Sequence, residues 1–331
     1  MKKGFALVMA SMMALSLTAC GGNGSSATTA ADTSAADTKA EGTTAVAPAD
    51  KIGLAGSGKE LIFTTGGDQG TYYGFGSVLA GQISDMTDTT VTAIVGKGSK
   101  GNIEAMDAGD AQLGFVQSDV MAYAYNGTNL FDGAKVDGFS TVAALYMEQV
   151  QIVTLNPDIK TVADLKGKTV SVGDSGSGVY FNALDCLGAY GLTIDDITPT
   201  YQSFGDSVEA MQDGKIDAAF IVAGAPTTAV TSLAATRKVY LVELDDEHID
   251  KLIEASPYYS KYTIAKDAYG LDADATTVAV GAVVVARDDA DENDIYNVVA
   301  GIYDSIDTLG HDKKNELDLD FAASVTAVPY H

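Results

Sequence analysis

A short stretch of this sequence occurs twice, and the repetition decides the fold. Residues 104–109 are EAMDAG, and residues 209–214 are EAMQDG. The phenylalanines Phe115 and Phe220 follow the two copies at the same distance. A duplicated unit of this kind predicts two similar halves within one folded region.

Each copy belongs to a longer alternation of short apolar runs with stretches of helical periodicity. Apolar runs of this length are typical of buried strands. They occur at 61–65, 91–95, 112–116, 169–172, 197–201 and 217–222. We therefore expect an α/β fold of two lobes, each a sheet flanked by helices, which face each other as a clamshell. Because open α/β sheets bind ligands at the carboxyl ends of their strands, the cleft between the lobes is the expected binding site.

The end of the chain is expected to return to the first lobe. The apolar run at 277–286 is too continuous for a surface strand, and a long helix is predicted at 291–309. Lobe 1 then comprises residues 59–152 and 278–331, and lobe 2 comprises residues 153–277.

The N-terminus has the pattern of a targeting signal. A basic start precedes a short apolar stretch, and residues 17–21 are LTACG, which matches the bacterial lipobox. We expect residues 1–19 to be a lipoprotein signal peptide and Cys20 to be lipidated; the alternative is an ordinary signal peptide with an incidental cysteine. Residues 20–58 are rich in Gly, Ser, Thr, Ala and Asp, so we expect a lipid anchor followed by a flexible linker. The protein is then extracytoplasmic and anchored to the bacterial cell membrane, at the cell surface or on its periplasmic face.

The charge of the chain excludes nucleic-acid binding. The 331 residues include 20 Lys and Arg against 45 Asp and Glu, a formal net charge of −25. Such a surface repels a phosphate backbone. The chain has two arginines, Arg237 and Arg287, in contexts typical of structural or surface positions. We therefore expect an anionic ligand to be held by uncharged donors rather than by a bidentate arginine.

Three glycine clusters follow predicted strands and permit more than one interpretation. They are GGDQG at 66–70, GKGSKG at 96–101 and GDSGSG at 173–178. The second fits G-x-G-x-x-G, but its place in an exported protein, after the second strand of its unit, argues against a dinucleotide site. A purely structural role in tight turns stays open for this cluster. The first and third combine free backbone N–H groups with hydroxyls at helix starts, which favours anion binding.

Catalytic constellations are missing from the sequence. It contains no G-x-S-x-G and no H-E-x-x-H, and its three histidines are scattered. No nucleophile, base and oxyanion hole can be assembled from these residues. We therefore expect a protein that is not an enzyme and has no cofactor and no metal site.

Several motifs occur in an order that is specific to one family. They are TGGDQGTYY at 65–73, SKGN at 99–102, GFVQSD at 114–119, VSVG at 170–173, GSG at 176–178, GKIDAAF at 214–220 and AGAPT at 223–227. Over residues 59–331 the chain resembles the TAXI-type solute receptors of TRAP transporters. The resemblance implies a monomer with a clamshell like that of type II periplasmic binding proteins. It also implies capture of a small organic anion, often glutamate or a related amino acid or dicarboxylate, and delivery to membrane permease subunits of a TRAP transporter.

The candidate ligand-binding residues come from the glycine turns and from the matched motifs. They are Gly67, Gly70, Thr71, Tyr72, Gln117, Ser118, Ser175, Gly176, Ser177, Gly178, Gly224 and Pro226. Glu148 lies just before the first crossing between the lobes and is placed to receive an ammonium group. A solvated carboxylate at a strand end is the alternative for this residue.

Two other functions stay open at this point. One is an exported enzyme that acts on a small carboxylated substrate, which the missing catalytic residues disfavour. The other is a solute receptor for a signalling partner, which has the same fold and is not distinguished by sequence.

Overall fold

In the computed structural model, which describes residues 51–331, helices alternate with strands of one twisted sheet. The strands are β1 (Glu60–Thr64), β2 (Thr90–Ile94), β3 (Leu113–Gln117), β4 (Phe139–Thr154), β5 (Thr169–Ser171), β6 (Thr198–Thr200), β7 (Ala218–Ala223), β8 (Tyr240–Leu241), β9 (Ser260–Ile264) and β10 (Ala275–Arg287). The α-helices are α1 (Thr71–Met86), α2 (Ser99–Asp107), α3 (Ser118–Asn126), α4 (Val179–Ala189), α5 (Phe204–Gln212), α6 (Thr228–Ala234), α7 (Asp246–Ala255), α8 (Glu292–Tyr303) and α9 (Leu319–Ala322). The six strands predicted from the repeated apolar runs are confirmed to within one residue at each end.

The sheet has two halves with the same strand order. Its main path is β2-β1-β3-β10-β4-β7-β5-β6, and β8 and β9 pair with β4 and β10 beside it. In one half β1 lies parallel between β2 and β3, and in the other β5 lies parallel between β6 and β7. The pair Phe63 and Leu113 in the first half corresponds to Val170 and Ala218 in the second. The backbone therefore shows the duplication that the sequence predicted.

Two long antiparallel strands join the halves. Strand β4 pairs with β10 along residues 139–149 and with β7 along residues 149–154. Strand β10 pairs with β3 near its end and with β9 near its start. We retain lobe 1 (59–152 and 278–331) and lobe 2 (153–277) as a proposal, because the exchange of partners in both strands falls close to these boundaries.

The predicted helix at 291–309 was too long. Helix α8 ends at Tyr303, and a short 3₁₀ turn follows at 306–308. The Ser305 hydroxyl donates to the Gly301 carbonyl oxygen (2.6 Å), and the Gln82 amide donates to the carbonyl oxygens of Gly301 and Ser305 (3.1 and 2.9 Å). Side chains thus satisfy carbonyl groups at the end of α8 that another helical turn would have occupied.

Both faces of the sheet bury apolar side chains. Phe63, Phe75 and Phe115 lie in the core of the first half, and Phe220 lies in the core of the second. Cys186 is fully buried in the second core. The helices are held against these cores, so their N-terminal ends have defined positions at the edge of the sheet.

The predicted signal peptide at 1–19 and the predicted lipidation site Cys20 lie outside the described residues. The end of the predicted linker, residues 51–58, is described and contacts α8. The Leu54 amide donates to Asn297 Oδ1 (2.7 Å), and the Ser57 amide donates to Asp294 Oδ1 (3.1 Å). The composition did not predict this contact. Among the helices of residues 51–331, none is long and apolar enough to span a bilayer.

Candidate functional site

A cleft lies where the two halves of the sheet bring their glycine turns together. Its lining segments follow the carboxyl ends of β1, β2, β5 and β6, or belong to β3, β4 and β7. The cavity has a volume of about 70 Å³. This is room for about five water molecules or for a small organic molecule of similar size.

The N-terminal ends of four helices converge on this cavity. The lining residues at these ends are Gly70, Thr71 and Tyr72 of α1; Gly98 and Ser99 of α2; Gly178 and Val179 of α4; and Ser203, Phe204 and Gly205 of α5. The first N–H groups of a helix have no partner within the helix, and the helix dipole places partial positive charge there. The cleft is therefore a region of hydrogen-bond donors.

Eight of the predicted residues line the cleft. They are Gly67, Gly70, Thr71, Tyr72, Gln117, Glu148, Ser177 and Gly178. Lining the cleft does not show which of these residues would contact a ligand, so their role in binding stays a proposal.

The other five predicted residues lie outside the cleft lining. The Ser118 hydroxyl is buried and accepts a hydrogen bond from the Gly281 amide (3.0 Å), while Ser175 and Pro226 are exposed. The carbonyl oxygens of Gly176 and Gly224 accept hydrogen bonds from lobe 1. Their donors are the Gly101 amide (2.9 Å) and the Thr71 hydroxyl (2.9 Å). Gly176 and Gly224 therefore link the lobes rather than face the cavity.

The cleft also contains residues that sequence reasoning missed. The second glycine cluster, for which a purely structural role was left open, contributes Gly96, Lys97 and Gly98. Lys97 is exposed at the rim, and within residues 51–331 it forms no ion pair. Lys97 adds one charged donor to the uncharged donors that the sequence predicted, and which of these donors would hold an anion stays a prediction. The duplication could have pointed to this cluster. Ser203 in the second copy occupies the position of Gly98 in the first, and both residues line the cleft.

Glu148 is buried at the floor of the cleft. Its side chain is 2% exposed, and Tyr72 Oη donates a hydrogen bond to Glu148 Oε2 (2.9 Å). Burial raises the pKa of this carboxyl to about 8, against the opposing effects of the Tyr72 hydrogen bond and of nearby Lys313. The alternative of a solvated carboxylate is therefore wrong, and burial favours the protonated form of Glu148.

A buried polar network extends from the cleft between the lobes. Gln117 Nε2 donates to Asn182 Oδ1 (3.0 Å), and Asn182 Nδ2 donates to Asp119 Oδ2 (3.0 Å) and to Tyr259 Oη (2.7 Å). Tyr259 Oη in turn donates to Asp185 Oδ2 (2.8 Å). Burial raises the pKa of Asp119 to about 7. The network connects α3 in lobe 1 to α4 in lobe 2 directly behind the cavity.

Two buried polar atoms of the cleft lining have no partner in the described part of the chain. They are Gln117 Oε1 and Ser177 Oγ. A buried polar atom without a hydrogen bond costs about 1–3 kcal/mol, so these two atoms are candidate contacts for a ligand or for a water molecule.

Lobe 2 contributes most of the apolar part of the lining. Val179, Phe204 and Val222 line the cavity from this side. A Cβ on Gly70 would lie 3.4 Å from the Phe204 ring, so the glycine lets lobe 2 approach lobe 1 closely. The cleft therefore combines polar groups, mainly from lobe 1, with an apolar cover from lobe 2.

Solved structures share this architecture. A protein from Bordetella bronchiseptica RB50 is 18% identical and has a TM-score of 0.51, with 78% of this chain and 76% of that chain covered. PhnD1 from Prochlorococcus marinus (MIT 9301), solved with methylphosphonate, is 13% identical with a TM-score of 0.50, and 80% and 89% of the two chains are covered. The predicted two-lobed α/β fold of periplasmic solute-binding proteins is confirmed.

Sequence comparison identifies a curated relative and a family. An aliphatic sulfonates-binding protein of Escherichia coli (strain K12) is 43% identical over 70 residues, which are 21% of this chain and 22% of that protein. The chain thus matches about a fifth of the length of this relative. A model of the NMT1-like family matches residues 63–331.

These matches contradict the resemblance to TAXI-type receptors of TRAP transporters, and with it the expectation of glutamate. The family is the NMT1-like family, and the named relative binds aliphatic sulfonates. The motifs behind the resemblance are glycine turns and strand ends. Proteins of one fold share such features even when they bind different ligands. Since the family model spans nearly all of the described residues, the chain belongs to the NMT1-like family.

Proposed function

We propose that this protein is an extracytoplasmic solute-binding protein that holds a small organic anion in the cleft and delivers it to an ABC-type membrane transporter. The convergence of four helix N-termini on one small cavity is the observation that supports this function most. The relative that binds aliphatic sulfonates makes a small sulfonate the first candidate ligand.

Backbone donors are suited to an oxyanion in this cleft. The amides of Thr71, Tyr72 and Ser99 belong to first helical turns and have no acceptor within the part of the chain that the structure describes. Fixed N–H groups at helix N-termini bind sulfonate, phosphonate or carboxylate oxygens without a paired cation. The three oxygens of a sulfonate engage donors from several helices at once.

Two side chains add to these donors. Ser177 is 7% exposed and its hydroxyl has no partner within residues 51–331, so it is available to donate to an oxyanion. Lys97 at the rim supplies a positive charge that attracts an anion into the cleft. The two arginines do not line the cavity, and Arg287 pairs with Asp289 (2.7 Å).

A thermal-shift and calorimetric panel tests this function. Methanesulfonate, methylphosphonate and acetate are compared with uncharged methanesulfonamide and acetamide and with glucose. An acid at about 100 times its Kd is expected to stabilise the protein by about 2.7 kcal/mol, whereas the uncharged compounds are not. Preference for an uncharged compound, or chemical turnover of a bound acid, would contradict the proposal.

Attachment to the membrane is a separate part of the proposal. The lipobox at 17–21 supports lipidation of Cys20, and multiple acyl chains are needed for stable retention. Cys20→Ser is expected to release the protein from membranes of the native host, measured by fractionation. An intact mass that corresponds to unmodified Cys20 would rule the anchor out.

A further inference from the structure

We infer that Phe204 selects the organic part of the solute: its ring forms an apolar wall against which this part packs, and it limits the part to a few carbon atoms. The inference rests on the proposed function, because it concerns the portion of the anion that lies away from the acidic group. It adds a substrate class to that function, namely acids with a short apolar body. Phe204 lines the cavity from the start of α5.

Three pairs of equivalent residues line the cavity, and the two copies differ in the same way at each pair. The pairs are Thr71 and Val179, Ser99 and Phe204, and Gln117 and Val222. In each pair the residue of lobe 1 has a polar side chain and the residue of lobe 2 has an apolar one. A polar group of the solute that is buried against these apolar side chains loses its water without gaining a partner. The cavity therefore fits a molecule with one polar end and one apolar part.

The start of α5 is the least suited of the four helix N-termini to an acidic group. The first turns of α1, α2 and α4 contain no acidic residue, whereas that of α5 contains Asp206. The Asp206 carboxylate accepts a hydrogen bond from the Ser203 hydroxyl (2.8 Å), and the Asp206 amide donates to Ser203 Oγ (3.1 Å). This negative charge offsets the partial positive charge of the helix end. The acidic group of the solute therefore lies toward α1, α2 and α4, and the rest of the molecule lies toward Phe204.

Packing fixes the position of the Phe204 side chain. The residue is half-buried and packs against two apolar clusters in the second half of the sheet, one that contains Phe220 and one that contains Ile221. A Cβ added to the neighbouring Gly205 would lie 3.3 Å from Gln69 Cγ. The start of α5 is thus in close contact with the first glycine turn of lobe 1. The ring is therefore a fixed boundary of the cavity.

The volume of the cavity limits the apolar part to a short chain. About 70 Å³ is available, and the acidic group takes a share of it. Each methylene that packs against the apolar wall strengthens binding about fourfold, because its burial removes apolar surface from water. Once the cavity is full, a longer chain has to displace the ring, and such overpacking weakens binding. We expect the strongest binding for a chain of about two or three carbons.

A series of straight-chain sulfonates from methanesulfonate to hexane-1-sulfonate tests the size limit by calorimetry. The affinity is expected to be highest for ethanesulfonate or propane-1-sulfonate and to fall at least about tenfold by hexane-1-sulfonate. Propane-1-sulfonate is also compared with 2-hydroxyethanesulfonate, which has the same number of non-hydrogen atoms. The hydroxyl compound is expected to bind at least about tenfold more weakly, because it buries a polar group without a partner at the apolar wall.

Variants identify the responsible side chain. Phe204→Ala removes the ring and is expected to raise the affinity for hexane-1-sulfonate relative to ethanesulfonate at least about tenfold. Phe204→Leu keeps a smaller apolar contact, so it is expected to raise the same ratio about threefold, and it replaces the alanine variant if that one does not fold. Tyr201→Ala is the matched control and is expected to leave the ratio unchanged, because this aromatic residue of lobe 2 is 50% exposed and lies outside the cavity lining.

The outcomes separate this inference from the proposed function. Binding of 2-hydroxyethanesulfonate that equals or exceeds that of propane-1-sulfonate overturns the inference and leaves the proposed anion binding intact. The same holds for a chain-length preference that the folded Phe204 variants do not change. If no sulfonate binds, the carboxylates from acetate to hexanoate are measured in the same way. Failure of both series to bind overturns the proposed function and this inference together.

Discussion

The two copies of the duplicated unit present different side chains to the same cleft. Tyr72 and Tyr180 occupy equivalent positions at the starts of α1 and α4. Tyr72 is buried, stacks on Phe115 with 4.6 Å between ring centroids and donates to Glu148. Tyr180 is partly exposed and contacts Tyr201, with 5.7 Å between ring centroids. The backbone turn is shared, whereas the polar contact exists in lobe 1 alone.

The strand ends differ in the same direction. Gln117 at the end of β3 begins the polar network, whereas the equivalent Val222 in β7 is apolar. The equivalent of Asp119 is Gly224, which has no side chain to titrate. We propose that lobe 1 specialised in polar recognition and lobe 2 in covering a ligand, because a shared turn geometry leaves the side chains free to diverge.

The largest expected effect comes from blocking closure at Gly178. A Cβ at this position would overlap Gln117 Oε1 and lie 2.7 Å from Ser99 Oγ, both in lobe 1. Gly178→Ala is expected to reduce solute affinity by roughly 100-fold, the upper end of what overpacking costs. Calorimetry measures the affinity, and small-angle scattering is expected to show that the variant stays open when ligand is added.

Gly188→Ala on the same helix is the matched control. Apart from the backbone of its own helix and its chain neighbours, no atom of residues 51–331 lies within 4 Å of its added Cβ. We expect unchanged affinity and a gain of roughly 0.5–1 kcal/mol in the free energy of unfolding, since alanine favours the helix. Affinity of Gly178→Ala equal to that of the unmodified protein would show that the lobes do not approach here on binding.

A second effect is a pH dependence of the free energy of unfolding. At the equivalent positions Asp119 and Gly224, only Asp119 in lobe 1 can titrate. Burial raises the pKa of Asp119 from an ordinary value near 4 to about 7, so the folded state binds more protons than the unfolded state in this window. The free energy of unfolding therefore falls as the pH rises from 4 to 7 and levels off above 7. Asp119→Asn is expected to gain on the order of 2 kcal/mol at pH 8 relative to pH 5, measured by urea denaturation.

Glu148→Gln provides the comparison for this measurement. Burial also raises the pKa of Glu148, so the fall in the free energy of unfolding that this carboxyl causes extends to about pH 8. The two variants are therefore expected to remove different parts of the pH profile. An unchanged slope in Asp119→Asn would mean that Asp119 is already ionised in the folded protein at low pH.

A smaller effect compares the equivalent tyrosines. Tyr72→Phe removes the hydrogen bond to Glu148 and is expected to weaken solute binding about tenfold, because the carboxyl loses its fixed orientation. Tyr180→Phe keeps its ring contacts and is expected to bind normally. Equal losses in both variants, determined by calorimetry, would refute the division of roles between the lobes.

The smallest effect separates two serines of the turn in lobe 2. Ser177→Ala removes an unpartnered buried hydroxyl and is expected to weaken anion binding roughly fivefold, about 1 kcal/mol. Ser175→Ala changes an exposed side chain and is expected to have no effect. The reverse order of the two affinities would restore Ser175 as the ligand contact that the sequence suggested.

Local patterns predicted much of the fold and part of the site. Alternating apolar runs placed six strands to within one residue, because burial of a strand depends on its own side chains. The turn at 66–72 was recognised for the same local reason. The end of α8 was not predicted. It depends on Gln82 from another helix, which donates to the carbonyl oxygens of Gly301 and Ser305. Lys97 was missed because its turn differs little in sequence from a structural glycine turn.

The sequence by itself determined the duplication, the two-lobed α/β architecture and the placing of helix starts at one cleft. Only the tertiary structure decided which side chains face that cleft. Ser118 and Gln117 are neighbours in sequence, yet Ser118 binds the backbone of β10 while Gln117 lines the cavity. Tyr72 and Glu148 are far apart in sequence, and their contact depends on how α1 packs against β4. Strand periodicity is encoded locally, whereas burial and hydrogen bonding between distant segments arise when the whole chain packs.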